Sequence, residues 1–173
     1  MANAQETVGG IAWSLPISIS AMDDLQRVLA ERACERLIVE YCRLVDYGNA
    51  GAIADLFTED ATWEGTDLVL DGRDEIRAWF ERRAGVTRRV SRHVCTNVAV
   101  DVVSDDEAQS ICLLINYRHD RREGDMSLPV PADHPKYVGE IRDRFRRTPE
   151  GWRFASRKVE VAFVRPSSSV SAS

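Results

Sequence analysis

A chain of 173 residues is about one domain long, enough to bury a sizeable core without a disulfide or metal staple. Hydrophobic residues make up 44% and charged residues 29%, ordinary values for a globular chain, and no apolar stretch is long enough to span a membrane. The net charge of −5 speaks against a nucleic-acid partner; the Arg-Arg pairs at 82–83, 88–89, 121–122 and 146–147 are interleaved with acids and read as solvated faces.

Residues 1–20 lack a basic start and a continuous apolar run, so they are not a signal peptide. They read as a flexible arm that could dock through Trp13 and Leu15, ahead of a single domain over 21–165. From Met22 to about Val45, Leu25, Val28, Leu29, Ala33, Leu37, Ile38, Tyr41, Leu44 and Val45 fall on one helical stripe. "AMDD" puts acids in its first turn and "DYGN" supplies the turn that ends it. A second helix fits "AGAIADLFTED", with Ile53, Leu56 and Phe57 inward. "ATWEG" and "DLVLDG" follow as short strands.

"GRDEIRAWFERRAG" reads as a third helix, with Asp74 and Glu75 in its first turn, Ile76, Trp79 and Phe80 as its stripe, and Gly85 at its end. The period then changes to two. "RRVSRHVCTNVAVDVV" and "AQSICLLINYRHD" are long strands joined by "SDDE". After the loop "REGDMSLPVPADHP", "KYVGEIRDRFRR" and "WRFASRKVEVAFV" form a hairpin around "TPEG". Residues 166–173 are a polar tail expected to be disordered.

Helices followed by long antiparallel strands predict an α+β fold: helices on one face of a curved antiparallel sheet, enclosing a cavity. Its exposed convex face suggests a homodimer or homotrimer. Cys34, Cys42, Cys95 and Cys112 show no CxxC spacing and read as reduced thiols of a cytoplasmic protein. Cys95 and Cys112 with a histidine could reach zinc from paired strands, but their spacing favours no metal. Without GxGxxG, P-loop or HExxH, no cofactor is expected.

His93 is the anomaly, an imidazole in an alternating strand that needs a partner if it faces inward. Taken alone, Asp46 could cap the "DYGN" turn and His93 be a satisfied strand residue. Three stretches, "YCRLVDYGNAGAIADLFTEDATWEG", "SRHVCTNVAVDVVSDDEA" and "DRFRRTPEGWRFASRKV", add to this. They resemble the SnoaL-like branch of the nuclear transport factor 2-like superfamily over most of residues 22–164. That resemblance implies a cone-shaped α+β barrel, its sheet wrapped around a long first helix, with an apolar pocket at the open end.

The superfamily includes scytalone dehydratase, lindane dehydrochlorinase and ketosteroid isomerase, and also the non-catalytic β subunits of ring-hydroxylating dioxygenases. In the dehydratase and dehydrochlorinase, an aspartate after the first helix pairs with a histidine on the first long strand. The matching residues are Asp46 and His93. The resemblance implies a cofactor-independent lyase or isomerase for a small, largely apolar, oxygenated molecule. The alternative is a non-catalytic ligand-binding or scaffold protein.

Tyr41 would polarise a substrate oxygen or serve as a core aromatic, and Trp63 would wall the pocket. Asn97, four residues beyond His93, would face the same side and donate to a substrate oxygen. Tyr117 would line the pocket from the next strand. His119 is out of phase and expected in solvent, and His134 is a lid or surface residue. The dehydrochlorinase has an arginine where Glu140 stands; a glutamate cannot help a leaving anion, which argues against halide elimination by that route. Glu140 either faces inward as a second acid or base, or outward against Arg142 or Arg144.

Overall fold

Asp23 and Gln26 start the first helix by exchanging hydrogen bonds: Gln26 N donates to Asp23 Oδ1 (2.7 Å) and Asp23 N to Gln26 Oε1 (3.4 Å). In this computed structural model, which describes residues 22–47, 49–84, 89–121, 124, 126–132 and 134–166, α1 then runs from Asp24 to Tyr47. The arm at 1–20, Gly85 and residues 167–173 lie outside the described residues. The buried line of α1 is Ala30, Cys34, Ile38 and Tyr41. Small side chains at Ala30 and Cys34 let the helix lie close to the strands it packs on. Leu25, Val28 and Leu29, expected on the buried stripe, are exposed instead.

The second expected helix is a 3-10 helix, Ala50–Leu56. It stops earlier than its stripe suggested, because Phe57 turns extended and opens strand β1, Phe57–Gly65. Strand β2 covers Leu68–Asp71. Gly72, at φ +85°, takes a backbone conformation that side chains resist and turns the chain into α2, Arg73–Ala84. Strands β3 (Arg89–Val102), β4 (Glu107–Asp120), β5 (Tyr137–Thr148) and β6 (Gly151–Val164) complete the fold.

The six strands form one sheet in the order β2-β1-β6-β5-β4-β3. All pairs are antiparallel, as expected, except β1 with β6, which run parallel and join the first half of the chain to its end. Helix α1 packs on β3 and β6, and α2 on the 3-10 helix and β1. Between helices and sheet lies a core of Ile38, Ile53, Phe57, Ile76, Phe80, Leu114, Ile141, Phe145 and Phe154.

A fully buried ion pair crosses the core beneath Tyr41. Arg157 donates from Nε and Nη2 to the two oxygens of Asp143, both at 2.8 Å, and its guanidinium lies 4.0 Å from the centre of the Tyr41 ring. It anchors β6 to β5 and supports the floor of the site. Among the described residues no helix is long and apolar enough to cross a membrane.

Candidate active site

Asp46 sits in the last turn of α1, where helix carbonyls disfavour a negative charge and no basic residue compensates. Strand β3 supplies the compensation. Ser91 Oγ donates to Oδ1 (2.9 Å), the His93 backbone N–H to Oδ2 (2.7 Å), and the His93 ring meets Oδ1 through Nδ1 at 2.7 Å. Burial alone would raise the Asp46 carboxyl. The hydrogen bonds from His93 and Ser91, with the attraction of the imidazole, outweigh burial and leave it below the usual carboxylate range.

An ionised carboxylate only accepts, so Nδ1 carries a proton, and in the neutral imidazole that tautomer leaves the lone pair on Nε2. Nε2 lies 3.5 Å from the Tyr137 hydroxyl, and His93 lines a cavity of about 490 Å³. Asp46 stands behind the imidazole and holds it; His93 is the residue the cavity meets. Burial raises the Tyr137 phenol, which keeps its proton to donate. Tyr137 was not singled out in the sequence; it is found only through the register that sets His93 opposite Asn116 and Asn116 opposite Tyr137.

Tyr41 and Trp63 share the same cavity. Trp63 Nε1 donates to Tyr41 Oη at 2.9 Å, which leaves the Tyr41 O–H as a donor, and burial pushes that phenol well above its ordinary value. Trp63 also stacks on Trp79, with centroids 5.6 Å apart. Leu114, Ile141, Val159 and Val161 make the aliphatic wall. Arg83, expected on a solvated face, lines the cavity instead.

Three expected site residues lie elsewhere. Asn97 is exposed because a bulge between Thr96 and Ala99 breaks the alternation; Asn97 takes φ +52°, a conformation asparagine tolerates better than most residues. Tyr117 is 42% exposed: the inward position opposite His93 belongs to Asn116, so the next side chain points away. Asn116 is fully buried and, among the described residues, neither polar atom of its amide has a partner. Glu140 flanks Gly139 and Ile141 on the outer face and accepts from Arg142 Nη2 at 2.8 Å, one of the two outward partners considered.

His119 is half-buried, with a shielded Nε2, rather than open to solvent. It shares with Tyr117 and the exposed His134 a separate groove of about 370 Å³. Cys42 and Cys95 face each other across the α1–β3 contact, sulfurs 3.4 Å apart. Among the described residues no three metal-binding side chains are grouped to hold an ion.

A family model, the SnoaL-like domain, matches residues 26–158. The chain belongs to the SnoaL-like family. No curated protein matches it in sequence, so solved structures supply the comparison. This SnoaL-like domain is similar to a candidate scytalone dehydratase from Novosphingobium aromaticivorans, at 22% identity and TM-score 0.69 over 81% of this chain and 89% of that one. A protein from the same organism described as nuclear transport factor 2-like with a cystatin-like fold gives 24% and 0.65 over 80% and 85%. LinA gives 19% and 0.68 over 86% and 97%. At these identities the SnoaL-like domain shares their fold, the curved sheet closed over α1.

Proposed function

We propose that this SnoaL-like domain is a lyase or isomerase that moves protons by general acid–base catalysis, without a cofactor, on a small and largely apolar oxygenated molecule. The observation that carries this is the His93 imidazole, held by Asp46 through Nδ1 so that Nε2 is the nitrogen beside a pocket walled by aromatic and aliphatic side chains. Nε2 takes a proton from a carbon made acidic by a neighbouring carbonyl. The O–H groups of Tyr137 and Tyr41 donate to the oxygen as it gains negative charge, an interaction strengthened by the exclusion of water. Isomerisation returns the proton at another carbon; dehydration delivers it to a departing hydroxyl, which leaves as water. The reduced thiols fit a cytoplasmic setting.

The test is hydrogen–deuterium exchange in D₂O on a panel of enolisable ketones led by 2-tetralone, followed by proton NMR. The wild-type protein is expected to exchange the α-protons above the buffer rate. His93→Gln should lose about 10²- to 10⁴-fold of that acceleration, and Asp46→Asn a smaller part. A wild type that binds these ketones yet exchanges no protons would instead be a ligand carrier. Undiminished exchange by His93→Gln would remove the imidazole from the mechanism.

A further inference from the structure

The two arginines that end α2 part company. Arg82 is exposed, whereas Arg83 turns into the pocket and lies 5.8 Å from the centre of the Trp79 ring. Arg82 can serve the helix dipole from solvent, so helix-end position does not explain the inward turn of Arg83. Arg89 and Arg118 share Asp120, at 2.7 and 2.6 Å. Among the described residues Arg83 has no such carboxylate. Its charge is opposed first by burial and also by the neighbouring Arg89 and Arg118.

A guanidinium cannot shed its proton to escape this, and a half-buried cation without a counter-ion lacks the partner that buried charge needs. Beside it, Trp63 and Trp79 stack with planes 25° apart, and Phe80 meets both edge-on. Aliphatic Leu114, Ile141 and Val159 also line the space. Exposed Thr66 and Asp67 are also in the lining, and Asp67 and Arg83 form no ion pair. The cavity around the guanidinium is thus mostly apolar and ring-rich, and it suits a flat body with one charged end.

We propose that Arg83 is an anion-recognising subsite, and that the pocket takes a flat aromatic or polycyclic molecule carrying one carboxylate, held by the planar fork of Arg83. Calling that molecule a substrate rests on the acid–base function proposed above; the subsite itself is a matter of binding. The carboxylate receives two parallel N–H donors while its ring system lies against the tryptophans.

Calorimetric titration with 2-naphthoate and its neutral isostere 2-naphthamide tests this. The wild-type protein is expected to bind the carboxylate about tenfold or more tightly than the amide. Arg83→Gln should erase that preference while leaving the amide affinity within about threefold. If Arg83→Gln does not fold, Arg83→Lys, which keeps the charge and loses the fork, is expected to give up about threefold of the preference. Equal binding of the two probes to the wild type would overturn the subsite. So would undetectable naphthoate binding at about 1 mM, or an unchanged preference in the folded variant. Neither probe needs turnover, so failure here leaves the proton-exchange result standing, and the reverse.

Discussion

One carboxylate at the end of α1 does three tasks: it accepts from a serine, a backbone amide and an imidazole, all on β3. Its proton affinity is lower folded than unfolded, so its stabilising effect is complete above the unfolded value, near pH 4, and drains away as pH falls through the depressed folded value. Asp46→Asn leaves the His93 amide facing a group that cannot replace both acceptor oxygens, and should cost about 1–3 kcal/mol near neutral pH. Below about pH 5 the wild type should lose stability more steeply than Asp46→Asn. Urea midpoints measured across that range check the prediction; parallel curves would mean the carboxylate is not linked to folding. Pattern alone left Asp46 a turn cap and His93 a strand residue; the resemblance to the SnoaL-like branch is what singled out that pair and gave Tyr41 a candidate site role. Tyr137 and Arg83 were not legible, since one reaches the cavity through strand register and the other by turning a surface-like arginine inward.

Elements were easier to read than the faces they bury. The periodicities of α1, α2 and β3 to β6 placed those elements within a few residues of their observed ends. Which side of α1 is buried was harder, because Ala30 and Cys34 carry too little apolar weight to outrank Leu25, Val28 and Leu29. The bulge at Asn97 left no composition signal, and it undid the parity on which that residue was assigned. Between β5 and β6, the Asp143–Arg157 pair is the contact whose loss would be felt most. Asp143→Ala would strand a guanidinium in the core and is expected to cost about 3–5 kcal/mol in denaturant unfolding. A loss under about 1 kcal/mol would show that the arginine finds another partner or water.

Across the whole molecule, the outer face of the sheet carries an unbroken apolar row. Val94 pairs with Ile115, Ile115 with Val138, and Val138 with Phe163, crossing four strands. Val94 is 45% and Phe163 72% exposed. Such a row favours burial against another copy of the chain, which fits the proposed homodimer or homotrimer. Phe163→Asp should shift the sedimentation coefficient to that of a monomer while leaving far-ultraviolet circular dichroism unchanged. A wild type that already sediments as a monomer would end that proposal.

The strand order also sets a sequence of events in synthesis. Strand β6 is the last made, yet it lies inside the sheet between β1 and β5. Until it emerges, β1 and β5 both present open edges, the pocket lacks the Val159 and Val161 part of its aliphatic wall, and Asp143 lacks its arginine. A closed sheet and a complete pocket wall therefore arrive together, with the last of the six strands. A nascent chain stopped before Gly151 would have neither, and its unpaired edges would be open to other chains.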